Sequence, residues 1–336
     1  MADAYALSGL IQPGQRLQEG EYDELLLPTF GGLVEGTIVK QSIMQDFLAW
    51  RSVTGTNTLT NYRHGKTAIQ VLTPGSNPQP TPMDFDNISL KIDTVILARA
   101  NEFILHDVQN IYEAKAAVAT EQGKEIGKFI DSVGIIKGIK AARQIAGDGS
   151  GGTVRLPDGW TGGTQINLQT AGDENDPNLL QYAIEGAVAA IQEKDIDPAS
   201  EGFVIFVRPA QYWALARADK LINSDYSTGN GDTANGMVLK AAGLPIRMTN
   251  RLPKAAIPNH PLSNAANNYA YNLSADEARA VVLIMSPRAV LAGTSIPLSH
   301  DIFWDRQTKS HFIDSWLALG ATENRGEFAA VVNRAV

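Results

Sequence analysis

Between Asn101 and Gly147 the apolar side chains Ile104, Val108, Ile111, Val118, Ile126, Phe129, Val133 and Ile136 recur at three- and four-residue steps. Only Lys115 and Gln122 interrupt this stripe. The spacing is that of one helical face, and no proline intervenes, so it predicts one helix from Asp107 to about Ile145, roughly 58 Å long at 1.5 Å per residue. A second stripe of Ala116, Thr120, Gly123, Gly127, Gly134, Gly138 and Ala141 runs beside the first. Each interior glycine costs a helix about 1 kcal/mol relative to alanine. Such a helix needs neighbours lying close along its backbone; the alternative is two shorter helices broken near Gly134.

The pattern changes on both sides of this element. Residues 1–29 carry Asp3, Glu19, Glu21, Asp23 and Glu24, end in "LLLPTF", and hold no sustained period. They read either as a frayed terminus or as an arm that orders only against another subunit through Leu25, Leu26, Leu27 and Phe30. "KTAIQVLT" and "ISLKIDTVILA" read as strands joined by the proline-rich "PGSNPQPTPMDFD", a long hairpin. A two-stranded ribbon is marginal in water alone, so it is expected to lie on something, with a neighbouring subunit as a candidate.

Beyond the helix, "GDGSGGTVRLPDGWTGGTQINLQTAGDEND" reads as a glycine-rich surface connector. Asp176 and Pro177 then open an amphipathic helix, "FVIFV" and "RAVVLIMSP" read as buried strands, and "RPAQYWALARADKL" as a helix between them. Alternation of this kind over 176–290 predicts an α/β lobe. From Ile296 onward the chain reads as strands joined by polar turns that return to pack with the long helix, making the lobe an insertion.

Length and composition narrow the function. With 336 residues, 44% of them hydrophobic, the chain can bury a real core. Its formal charge of −8, from 28 basic and 36 acidic residues, argues against a phosphate-gripping surface. The absence of cysteine excludes disulfides, thiolate nucleophiles and cysteine-ligated metals. No run approaches the ~20 apolar residues that span a bilayer, and the N-terminus does not read as a secretory signal.

Motifs that carry chemistry are few in this chain. Gly65, Lys66 and Thr67 look like the end of a phosphate-binding loop, but the glycine required five residues earlier is Thr60, and strand continues where a helix is needed. The glycines at 147, 149, 151 and 152 follow a helix instead of a strand. His64, His106, His260, His300 and His311 form no metal-binding spacing, no GxSxG occurs, and "DENDP" lacks a calcium loop's glycine. Neither a catalytic residue, a metal ligand nor a cofactor site is expected.

The order of elements resembles the major capsid proteins of tailed bacteriophages with the Hong Kong 97-like fold, most closely those of short-tailed podoviruses of the coliphage T-seven kind. The resemblance rests on "FGG" at Phe30 to Gly32, on Gly65, Lys66, Thr67 and Ala68, and on Pro74 and Gly75 before a second hairpin strand. It implies an α+β fold with an N-terminal arm at 1–50 and an extended β-hairpin loop at 51–99. A peripheral domain with the spine helix and connector follows at 100–175. An inserted α/β axial domain occupies 176–290, and returning peripheral strands 291–336.

It also implies a structural protein, not an enzyme, that builds pentamers and hexamers of an icosahedral shell. Its partners would be copies of itself, a scaffolding protein during assembly, a portal at one vertex, enclosed double-stranded DNA held without sequence specificity, and a possible decoration protein. No membrane partner is implied. The shell belongs to the virion, after assembly in the bacterial cytoplasm. Contacts between subunits are expected from Leu25, Leu26, Leu27 and Phe30 and from the hairpin residues Arg63, Lys66, Gln70, Asp84 and Asp86. Close packing along the spine is expected at Gly123, Gly127, Gly134 and Gly138. An encapsulin-like bacterial compartment is the alternative within the fold, and an α/β enzyme with an unrecognised site the alternative outside it.

Overall fold

The computed structural model describes residues 26–67, 69–71, 74–75, 77, 82–103, 113–147, 154–217, 231–232, 237–238 and 240–335. Leu25 and the acidic segment before it, Ile104, His106, Val108 and Ile111, and Gly149, Gly151 and Gly152 lie outside those residues.

The central element is helix α3, Glu113–Ala142, continuous through Gly134 and about 45 Å long. Before it come α1 (Leu26–Gln41), the short α2 (Met44–Phe47), and strands β1 (Trp50–Ser52), β2 (Thr58–His64), β3 (Phe85–Lys91) and β4 (Ile96–Phe103). After it come β5 (Thr164–Asn167), α4 (Pro177–Gln192), β6 (Val204–Val207), α5 (Pro209–Leu215), the two-residue β7 (Gly231–Asp232) and β8 (Met237–Val238), and β9 (Lys240–Ala241). The chain closes with β10 (Leu244–Met248), β11 (Ala280–Met285), β12 (Val290–Asp305), β13 (Ser310–Glu323) and β14 (Ala329–Asn333).

Two sheets flank the spine: one of four strands in the order β1-β12-β13-β4, and one of six in the order β5-β14-β11-β6-β10-β9. The six-stranded sheet is mixed, with β10 parallel to β6 and β11 antiparallel to it. In β6 and β11 every residue is buried, which is why they read as unbroken apolar runs. Asp176 caps α4 by accepting from Asn178 N and Leu179 N, with Pro177 in the first turn.

In the C-terminal half of the spine the stripe residues Ile126, Gly127, Val133, Gly134, Ile136, Gly138 and Ala141 are buried and Phe129 is half-buried, while Ile130, Ile135 and Ile139, outside both stripes, are buried as well. A helix covered on most sides needs no polar face there. It stops at Ala142, short of Ile145, because backbone takes the next position: Gly163 N donates to Gln144 O at 2.8 Å. A Cβ on Gly163 would stand 2.1 Å from the Ala142 carbonyl oxygen.

The structure differs from the sequence expectation in four places. The first hairpin strand is Thr58–His64, not the run from Lys66; there Leu59 packs against Val53, Leu90 and Ile92, whereas Ile69 and Val71 find no such cover among the described residues. The second strand ends at Lys91, and Ile96 opens a strand of the four-stranded sheet. The glycine-rich connector is not all surface loop, since Thr164–Asn167 pairs in parallel with β14. The last strands do return to the spine helix, but not in one sheet: β12 and β13 form the four-stranded sheet, while β14 pairs with β11 in the other, so the last segment serves both layers.

Candidate assembly surfaces

The hairpin of β2 and β3 is antiparallel from Thr58 opposite Lys91 to His64 opposite Phe85. Its base sits on the four-stranded sheet, where Leu90 and Ile92 cluster with Val53, Leu291 and Ala318. Gly293 and Gly320 let that base approach, because a Cβ on either would meet Leu90 at 3.3 and 3.1 Å. Farther out the apolar side chains have little cover among the described residues: Tyr62 is 79% exposed, Phe85 71%, Ile69 97% and Val71 88%. Large apolar side chains on so narrow a projection make it a candidate contact surface.

The charges expected to reach between subunits are engaged within this one. Arg63 is buried, forms an ion pair with Asp86, donates to Asn324 O at 3.0 Å and lies 5.6 Å from the Trp160 ring centroid. Asp84 pairs with Arg155 at 3.6 Å. Lys66 donates its backbone N–H to Asp158 O at 2.9 Å and lays its side chain against Gly159. Gln70 is exposed. Arg63, Asp84 and Lys66 thus fasten the hairpin to the connector and the turn after β13. Gly65 donates to Asp84 O, and among the described residues no helix follows it before β3, which argues against the phosphate-loop reading.

Phe30 also departs from expectation. It is 4% exposed, with its ring edge-on to His300 at 5.9 Å, because α1 lies on the spine and the sheet of the same chain. Leu26 and Leu27 belong to the first turn of α1. Three of the spine glycines each receive a different element. A Cβ on Gly123 would meet Val34 O and Thr37 Cβ at 2.8 Å, on Gly134 Met44 Cγ at 2.9 Å, and on Gly138 Met285 Sδ at 2.5 Å. Gly127 is buried.

Polar groups in the core tie these layers together. Asp131 of the spine caps α2 from outside, accepting from Ser42 Oγ at 2.8 Å and from Ile43 N and Met44 N at 2.9 Å. Burial pushes its carboxyl up, and these donors pull the other way. Lys137 is 1% exposed, donates to Ala270 O at 2.9 Å and Glu323 Oε1 at 3.1 Å, and stands 4.4 Å from the Tyr271 ring centroid. Burial holds its pKa below the usual lysine range.

The Tyr271 hydroxyl donates to Ala321 O and accepts from Ala321 N, both at 3.0 Å, and burial raises its pKa to about 12. His260 stacks on Tyr271, and burial, with Lys137 nearby, lowers its pKa to about 4. Sequence reasoning missed this cluster. Its one signal is a lysine set in the apolar run "GIIKGIK". Among the described residues no group of His, Asp and Glu is arranged to hold a metal, and no helix is long and apolar enough to cross a membrane.

An outlying hairpin, a long central helix carrying two sheets, and an inserted α/β layer define a Hong Kong 97-like capsid fold. Solved capsids match it over most of the chain. The mature capsid of bacteriophage PhiM1 aligns with a TM-score of 0.71 at 22% identity, covering 87% of each chain. The capsid of cyanophage P-SCSP1u aligns with a TM-score of 0.75 at 18% identity, covering 88% of each chain. A virus-like particle from Pyrococcus furiosus aligns at 0.52 and 11%, covering 92% of this chain and 99% of that one. No curated protein matches by sequence. The model of the Gp10A-like family, described as major capsid protein, matches residues 90–292, more than half of the chain, and the chain belongs to that family.

Proposed function

We propose that this major capsid protein assembles into pentamers and hexamers of an icosahedral phage head that encloses double-stranded DNA. The observation that carries the reading is the hairpin's exposed ribbon of Tyr62, Ile69, Val71 and Phe85. Such a surface is stable in water once a second copy covers it, and heterologous contacts of this kind close into rings. The net charge of −8 suits a wall that contains DNA without trapping it, since few cations are available for counterion release.

In this reading the arm before Leu26 reaches a neighbouring subunit, and residues 51–99 are the extended loop. Residues 100–175 with the returning strands of 291–336 are the peripheral domain, and the lobe at 176–290 is the axial domain. A scaffolding protein guides assembly in the bacterial cytoplasm, a portal occupies one vertex, and a decoration protein has the outer face available. The phage is of the short-tailed kind, and the finished shell is the virion head.

Electron microscopy of the purified chain, alone and with its co-expressed scaffold, tests this. Closed shells of uniform size are expected with the scaffold. A monodisperse monomer under both conditions refutes the reading. An encapsulin-like compartment is the second reading, favoured by the match to the Pyrococcus furiosus particle. Neighbouring genes for a cargo enzyme, in place of a terminase and portal, decide for it.

A further inference from the structure

We propose that His300 is an acid-sensitive latch that holds α1 on the spine and the four-stranded sheet and releases that helix when the ring gains a second proton. The imidazole lies on β12 beneath α1, with the Phe30 ring edge-on at 5.9 Å. A chain of hydrogen bonds fixes its tautomer. The Gln122 amide donates Nε2 to Ile313 O at 3.1 Å, which leaves Oε1 as acceptor for the Ser315 hydroxyl at 2.6 Å. A hydroxyl has one proton, and Ser315 has given it to Gln122. His300 Nδ1, 3.0 Å from Ser315 Oγ, must therefore be the donor, and Nε2 carries the bare lone pair.

That Nε2 is buried and has no hydrogen-bond partner. A bare nitrogen in an apolar setting costs little, whereas an N–H⁺ there is both unpaired and charged. The groups around the ring offer little compensation. The spine presents neutral Gln122 and β13 neutral Ser315, while Glu35 of α1 is the charged group that bears on the ring. Glu35 is exposed, so water screens it. Burial lowers the His300 pKa and Glu35 opposes that shift.

The sign follows from linkage. The docked state disfavours the imidazolium, so docking is at full strength above the ordinary histidine pKa of about 6.5 and weakens as pH falls through it. Opening α1 restores water to the ring and uncovers Phe30, Val34 and Ile38, all buried while docked.

Hydrogen exchange of peptides covering residues 30–41 in the full-length chain, corrected for intrinsic pH dependence, tests the latch. Between pH 7.5 and 5.0 the opening constant of α1 is expected to rise by up to about 30-fold, the ceiling set by a proton taken up at about pH 6.5 in the open state only. In His300→Gln the pH slope of this opening is expected to vanish, whatever its level at neutral pH. Equal slopes in the two proteins overturn the proposal. A histidine-resolved NMR titration of the native chain provides a second measurement. A His300 that titrates at or above about 6.5 with α1 still protected also overturns it.

Discussion

Replacing Lys137 with methionine keeps most of the side-chain volume while deleting a cation from the interior of the spine. The side chain is 1% exposed and that of Glu323 is 19% exposed, so water only partly substitutes for the lost partner. Three contacts disappear: the hydrogen bonds to Ala270 O and Glu323, and the approach to the Tyr271 ring. Hydrogen bonds to a charged group contribute roughly 1.5–3 kcal/mol each, and breaking a buried pair by removing one partner costs about 3–5 kcal/mol.

Against that loss, methionine avoids the desolvation of the ammonium, the same burial that lowers the Lys137 pKa. The net expectation for Lys137→Met is a loss of about 2–4 kcal/mol, read from the urea midpoint of the unassembled chain by tryptophan fluorescence. Adding Glu323→Leu removes the stranded carboxylate, and the double variant is expected to recover to within about 1 kcal/mol of the wild type, as apolar replacements of buried pairs do. A single variant within about 0.5 kcal/mol of the wild type refutes the reasoning, as does a double variant that is no better than the single.

Other consequences are checked in the same way. Gly123→Ala gains about 1 kcal/mol of helix propensity, but its methyl meets Val34 O and Thr37 Cβ at 2.8 Å, so overpacking is expected to outweigh the gain by about 1 kcal/mol. Gly186→Ala in α4, with nothing within 4 Å, is the control and is expected to stabilise by up to about 1 kcal/mol in the same denaturation assay. His260 is neutral when folded, with its pKa lowered to about 4, so its contribution is full above about 6.5, falls between 6.5 and 4, and changes no further below 4. The fall amounts to about 3 kcal/mol, and His260→Gln is expected to flatten it in midpoints measured across that range. Tyr62→Ser with Phe85→Ser is expected to leave the urea midpoint within about 0.5 kcal/mol and to abolish shells in micrographs, since both rings are exposed in the lone subunit. Normal shells from that pair count against the hairpin as a contact.

By itself the sequence determined the elements whose physics is local. The period of the spine, the Asp176–Pro177 start of α4 and the apolar runs of β6 and β11 are each written within one stretch of chain, by spacing, capping or continuous burial. The glycine stripe likewise announced that something lies against the spine. Only the tertiary structure decided what that something is, because α1, α2 and β11 come from segments far apart in sequence and each meets a different glycine.

The hairpin shows the same division. Its existence follows from two apolar runs around a proline-rich tip, but the strand lies in the other run, since the cover over Leu59 combines Val53, Leu90 and Ile92 with Leu291 and Ala318 from the far end of the chain. Charges were the least legible feature: Arg63 and Asp86 stand opposite one another across the two strands, which only strand register fixes. Likewise, a lone lysine between isoleucines reveals neither Glu323 nor Tyr271 as its partner, because burial and pairing at long range belong to the assembled core rather than to any window of chain.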